Sequence, residues 1–432
     1  MCKECKDCPE LSQGLRAHIE ALGKGSVVTE AGIREAGEDS FVCHLRGLAR
    51  RVTNGFKNAQ TALVRVHLTE GTGKANAFAY AKIEGRPNRH LVLVTRELLN
   101  RVRTLAGQTP SIAKLISERA APSDVLRTLW GDLPNDEDHY EAFGALLANV
   151  ALGFLINHEM AHIAFQHVTI LGEESCSSFE IDEVASILGQ GAATNHSHCK
   201  ELRSQTIELD ADVHGLNWTR IYLEELAERI LRTSVIHDPT AEAVWRNFVG
   251  TEAGRRFLLV SSSWLLLLSF PPSGFKLKDM EKGTHPALSI RLCTLLHAEA
   301  EIAKQKNNCK QQDRQVAASI FALLAYAGAQ AAENAIEKFS QGSSIDTPSQ
   351  EYSLQKAARD WGIYQTLGQE GAVQAHLQRL ASERRSMEKK IGSGKICSDD
   401  AVLRWFMEER PMGSGVEVST TESVMAPVVA SR

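Results

Sequence analysis

From Phe143 to Asn157 the chain reads FGALLANVALGFLIN, apolar nearly all round, and it runs directly into His158-Glu159-Met160-Ala161-His162. A helix without a polar face has to be buried. The sequence therefore predicts a long internal helix, from about Glu141 to Val168, whose polar end is carried inside with it. Residues four apart share one helix face, so His158 and His162 point the same way. Buried polar groups are costly unless partnered. A metal ion partners all three: two imidazoles on one face grip a single zinc, and Glu159 between them can handle the proton of a water.

A catalytic zinc takes three protein ligands and keeps one open position. Glu208-Leu209-Asp210-Ala211-Asp212 begins 46 residues after His162. On a helix, Glu208 and Asp212 share a face. Glu208 is the expected third ligand, and Asp212 is expected to accept a hydrogen bond from a ligating imidazole, fixing its tautomer. Asp210 is expected to face solvent. His214 and His167 are rival third ligands, although His167, five residues past His162, falls off the ligand face. Without the upstream histidines, Glu208 and Asp212 would read as an ordinary charged helix face. Farther on, Thr284-His285-Pro286 precedes Arg291; His285 and Arg291 are candidates to steady the oxyanion of a tetrahedral intermediate. A His-Pro at a helix start is also common for conformational reasons alone.

Together these pieces resemble the gluzincin metallopeptidases of the HtpX and CAAX-prenyl-protease type. That family shows HExxH with a further histidine five residues on, matched by His158, Glu159, His162 and His167. It shows ExxxD on a later helix, matched by Glu208 and Asp212, and a His-Pro followed by arginine, matched by His285, Pro286 and Arg291. Upstream it carries an Asn-Ala-Phe-Ala stretch and a second strand, matched by Asn76, Ala77, Phe78 and Ala79 and by His90 to Leu99. The resemblance covers roughly residues 60 to 295. It implies a zinc endopeptidase with one catalytic Zn2+, a zincin-like core with a small antiparallel sheet or hairpin, and a protein or peptide substrate adding as a strand along Asn76 to Ala79. The chain departs from the family in lacking its membrane helices, in an extra segment between the metal motifs and in a long C-terminal region. It is also similar to the Lit-type phage-exclusion peptidases, which implies a bacterial cytoplasmic setting and a role in phage defence.

Composition narrows the other classes. A hydrophobic share of 43% and a charged share of 23% over 432 residues suit a globular chain of two or three domains. The net charge of −5 gives no electrostatic reason to expect nucleic acid or an anionic membrane. No membrane span is expected: the most apolar candidate, Phe257 to Phe270, contains four serines and ends at Pro271-Pro272, so it reads as a buried core helix. The nine cysteines are scattered and no signal peptide is visible, which predicts reduced thiols and a cytoplasmic location. Cys2, Cys5 and Cys8 could hold metal with Cys43 or His44, but a second pair of hooks is missing, so a frayed terminus is expected.

The expected fold is α+β, mostly helical. Residues 1–60 read as a helical lead-in, with helices over 11–22 and 39–60. Residues 61–305 read as the metallopeptidase domain, with strands at 64–68, 76–83 and 90–95, a turn at Gly85 to Asn88, and helices at 97–105, 199–231, about 240–270 and 286–305. Between the metal motifs a flexible insertion is expected to hold a short helix over Phe179 to Leu188 and, at His196, His198 and Cys199, an exposed loop. Residues 306–411 read as a helical C-terminal region and 412–432 as a disordered tail. An alternative to the enzyme is a catalytically silent scaffold whose C-terminal helices bind a partner protein.

Overall fold

The computed structural model describes residues 11–54, 63–72, 75–80, 83, 89–107, 130–167, 170, 180–182, 197–232, 238–269, 286, 290–291, 294–295, 298–299 and 370–388. In chain order the elements are α1 (Gln13–Ala21), β1 (Ser26–Val27), α2 (Glu30–Glu35), α3 (Asp39–Asn54), β2 (Leu63–Glu70), β3 (Ala77–Tyr80), β4 (Arg89–Thr95), α4 (Arg96–Gly107), α5 (Glu137–Ala164), β5 (Glu180–Asp182), α6 (Ser197–Arg232), α7 (Pro239–Phe248), α8 (Glu252–Ser269) and α9 (Glu370–Glu388). The chain is α+β and mostly helical. The expected C-terminal helical region apart from residues 370–388, the turn at Gly85 to Asn88, the tail and the cysteine-rich amino terminus lie outside the described residues.

The sheet is mixed, not the antiparallel hairpin that was expected. Its order is β1-β2-β4-β3-β5. β3 and β4 do form an antiparallel pair, with Ala77 opposite Val94 and Tyr80 opposite Leu91. β4 then lies parallel to β2, from Leu63 opposite Arg89 to Thr69 opposite Thr95. The cause is the composition of β4. Leu91, Val92, Leu93 and Val94 are all fully buried, so this strand needs cover on both faces and a neighbour on each side. Alternate residues then sort to two cores. Val92 and Val94 join Val66, Leu68, Ala77 and Ala79 in the main core beneath the helices. Leu91 and Leu93 join Phe78 and pack with Leu11 and Ile19 beside α1.

The buried helix is α5, and everything else is arranged about it: α3, α4, α6, α7, α8, β3 and β4 all pack on it. Asp136 caps its first turn by accepting from the His139 amide at 3.0 Å. By length and composition α5 could itself cross a membrane, although no membrane span is expected from the sequence; about two-thirds of its apolar window (67%) is buried inside the protein. Residues 257–269 of the apolar stretch lie in α8, a buried helix as expected. Its serines are accommodated by bonding back one turn: Ser261 Oγ donates to the Phe257 carbonyl and Ser263 Oγ to that of Leu259, both at 2.7 Å.

Three local expectations fail. His198 and Cys199, expected in a loop, lie in the first turn of α6. The single helix over 240–270 is broken into α7 and α8 at Val249–Thr251. Gly250 doubles back so tightly that a Cβ there would lie 2.1 Å from the Arg246 carbonyl oxygen, a close approach only glycine permits. At Glu180–Asp182, where a short helix was expected, the chain is extended as β5. In addition, Cys43 is disulfide-bonded, against the expectation of reduced thiols throughout.

His67 on β2 stands opposite Leu93 and so faces the α1 side. Burial first, and then the charges of Arg46, Arg65 and Arg16, press its imidazole down from 6.5 to about 3. The folded chain therefore holds this ring neutral where the unfolded chain would protonate it. Its contribution is complete above pH 6.5 and is lost as pH falls through the window toward about 3. Between pH 6.5 and 4.5 the cost is about 2–3 kcal/mol, at 1.4 kcal/mol per pH unit. Urea denaturation of His67→Leu and the parent at pH 7 and pH 4.5 should show the variant losing less stability by that amount. Equal losses would contradict this.

Candidate metal centre

The two metal motifs meet because α6 crosses α5 at the histidines. Gly215 makes the crossing possible: a Cβ there would sit 3.0 Å from the His158 amide nitrogen and 3.1 Å from its Cα. Asn157, the residue before His158, donates from Nδ2 to Thr219 Oγ1 at 2.8 Å, and Thr219 Oγ1 donates to the Gly215 carbonyl at 2.7 Å. The pair of helices is thus stitched one residue from the first imidazole.

His158 Nε2 and His162 Nε2 lie 3.0 Å apart. Glu208 Oε2 is 3.4 Å from the first and Oε1 is 3.6 Å from the second. None of the three side chains is more than 2% exposed as a residue. Among the described residues, this is the one group of three or more His, Cys, Asp or Glu side chains that could hold a metal ion. Tetrahedral ligands at 2.0–2.1 Å from a common ion would be about 3.3–3.4 Å apart, so the observed spacings suit a cation at their centre.

The protons make the same point. His162 Nδ1 is 3.1 Å from His167 Nδ1, and His167 Nε2 is 3.0 Å from Asp210 Oδ2. Asp210 accepts from Arg384, whose Nε lies 2.5 Å from Oδ1. An ionised carboxylate can only accept, so His167 donates from Nε2 and, with both rings neutral, accepts at Nδ1. His162 then donates from Nδ1 and keeps a lone pair on Nε2. On the other ligand, His158 Nδ1 lies 3.1 Å from Asp212 Oδ1. The carboxylate favours the ring proton on that side and leaves the Nε2 lone pair facing inward. Two lone pairs and a carboxylate oxygen therefore converge in a buried space, an arrangement that a cation stabilises.

Both supporting carboxylates are held ionised. Burial pushes Asp212 up, but the Arg291 charge and its hydrogen bonds, with His158, more than offset this and hold it below the ordinary range. Burial likewise pushes Asp210 up, and His214, Arg384 and His167 together draw it well below that range.

The structure brings His158, His162, Glu208 and Asp212 together as the sequence spacing implied, with Glu159 buried on the same helix beside them. Other expectations are corrected. Arg291, expected at an oxyanion, instead donates from Nε and Nη2 to the two oxygens of Asp212, both at 2.7 Å. The buried carboxylate behind His158 has claimed the nearby guanidinium. Asp210, expected in solvent, is buried, because α6 has α5 on one side and α9 on another. His214, a rival ligand, stacks on Phe165 with ring centres 3.9 Å apart and stands 3.7 Å from Asp210.

The edge expected to receive substrate is also not open. β5 pairs antiparallel with β3, setting Phe78 opposite Asp182, Ala79 opposite Ile181 and Tyr80 opposite Glu180. Asn76 is engaged in the turn: its amide donates to Thr95 Oγ1 at 2.8 Å, and its Oδ1 accepts from the Ala77 amide at 2.9 Å. His285 lies outside the described residues. Sequence reasoning missed Gly215, visible only as a glycine within a helical stretch, and Arg384, for which no local signal exists.

Comparison with known proteins returned no matching family model, no matching curated protein and no matching solved structure.

Proposed function

We propose that this chain is a zinc-dependent endopeptidase with a zincin-like core, acting on a protein or peptide in the cytoplasm. The observation that carries the proposal is the convergence of two inward-facing imidazole nitrogens and the Glu208 carboxylate within 3.0–3.6 Å, on the helix that also bears Glu159. His158, His162 and Glu208 would hold the ion; Asp212 and His167 brace the two imidazoles from behind. Bound zinc would acidify a water from a pKa of ~15.7 toward ~7 and polarise a carbonyl. Glu159 takes the proton of the attacking water and returns it to the departing amine. The low-dielectric surroundings strengthen that exchange, since Glu159 is itself buried. An extended substrate can pair with β3 only where β5 has left it.

One observation favours a second reading, the catalytically silent scaffold: all three ligands are buried, and β5 covers the strand edge. Cleavage separates the two. Purified full-length chain is incubated with unfolded casein and with a mixed peptide library, with and without phenanthroline. The expected result is chelator-sensitive fragments, and a fall of about 10²–10⁴-fold in rate for Glu159→Gln at unchanged metal content. Metal-replete protein that leaves every substrate intact favours the scaffold, and equal rates for Glu159→Gln remove that residue from the role of base.

A further inference from the structure

We propose that Arg384, on the C-terminal helix α9, is a positioning residue of the metal centre: acting through Asp210 and His167, it fixes the ring orientation and tautomer of His162. The inference rests on the metal site proposed above and extends it to a segment that no local pattern connects with it.

The route is continuous and buried. Arg384 Nε donates to Asp210 Oδ1 at 2.5 Å; His167 Nε2 donates to Asp210 Oδ2 at 3.0 Å; His162 Nδ1 and His167 Nδ1 are 3.1 Å apart. Arg384, Asp210, His167 and His162 are all buried. With both imidazoles neutral, each step has one permitted direction. Arginine only donates and an ionised carboxylate only accepts, so the proton order is dictated from the arginine end. The result is the tautomer of His162 that presents a lone pair to a metal. Two imidazoles in series, in place of the usual single carboxylate, need both rings held in register, and Asp210 can hold His167 only while its own orientation is fixed. Its second nearby imidazole, His214 Nε2, stands 3.7 Å from the same oxygen that His167 uses. Removing Arg384 frees Asp210 to turn toward His214 and slackens the tether on His167.

A purely structural role for Arg384, docking α9 onto α6, is the competing explanation, and the molecule supplies its own control. α9 is also held by Glu383, whose Oε1 accepts from Arg203 Nε at 2.7 Å, and by His376, whose Nε2 lies 2.9 Å from Gln205 Oε1. Leu380 packs with Leu209 and Ile290. Glu383 does not lie on the route from Arg384 to His162. Changing it weakens docking without altering that route.

The experiment measures zinc affinity of the full-length chain by competition with a chromophoric chelator, and the visible spectrum after cobalt substitution, with folding checked by circular dichroism. Supporting contacts of this kind are worth about 10- to 100-fold in metal affinity. Arg384→Met should lose affinity by that factor and shift the cobalt bands; Arg384→Lys, which keeps a donor and the charge, should recover most of it; Glu383→Gln should match the parent. In a His167→Phe background, Arg384→Met should cost nothing further, because the route is already cut. Unchanged affinity in Arg384→Met, equal losses in Arg384→Met and Glu383→Gln, or additive losses with His167→Phe would each overturn the inference while leaving the metal site standing. A parent chain that takes up no zinc overturns both.

Discussion

Alanine at position 215 will drive apart the two helices that carry the metal ligands. Two effects oppose each other. In an exposed helix, glycine to alanine stabilises by about 1 kcal/mol through backbone entropy. Here the new methyl would meet the His158 amide nitrogen at 3.0 Å and its Cα at 3.1 Å. Both are backbone atoms, so no side chain can rotate aside; the helices must separate by a few tenths of an ångström. Overpacking of this kind costs about 1–3 kcal/mol, which cancels or exceeds the propensity gain. The metal should feel the shift more than the fold does, because coordination tolerates only about 0.2 Å of error. Glu208, on the same helix as Gly215, moves with α6, while His158 and His162 stay on α5. Gly215→Ala is expected to lower metal affinity by at least about tenfold, by the standard applied to misplaced supporting groups, with little or no gain in melting temperature. Parental affinity together with a higher melting temperature would mean that α5 and α6 are not closely matched at this crossing.

Stripping the metal will cost more stability than any surface substitution. His158 Nε2 and His162 Nε2 face each other at 3.0 Å beside a buried carboxylate. Without a cation, that space holds two ring nitrogens facing each other beside a buried carboxylate. A ligand present at a thousand times its dissociation constant stabilises by about 4 kcal/mol. For a chain of 432 residues unfolding as one unit that corresponds to a fall in melting temperature of roughly 4–5 °C. Chelation and His158→Ala should both produce it, and the two should not add, since each removes the same ion. Glu159→Gln, which leaves the three donors in place, should retain most of the metal's contribution. Melting curves that coincide with and without chelator would show that these donors satisfy one another unaided.

How much of this could be read from the chain depends on the range of the interaction. The position and burial of α5 followed from apolar residues on every face, a strictly local signal. His158, His162, Glu208 and Asp212 followed from spacing of four along two helices, which periodicity specifies without knowledge of the fold. The mixed sheet was not legible: alternation identifies a strand and its faces but not its neighbours, and the parallel pairing of β2 with β4 joins segments whose partners no local pattern names. β5 is three residues long, too short to display any period. Asp210 was misplaced because a helical wheel presupposes one wet face, whereas α6 is covered by both α5 and α9. Arg384 lies 174 positions from the carboxylate it binds. Only the folded chain brings the two together, and with them the C-terminal helix to the centre.

The most direct measurement is anomalous scattering at the zinc absorption edge from crystals of the full-length protein, purified without added metal. A single peak within bonding distance of His158 Nε2, His162 Nε2 and a Glu208 carboxylate oxygen is the expected result. No peak at that point, with the two imidazoles rotated away from Glu208, would contradict it.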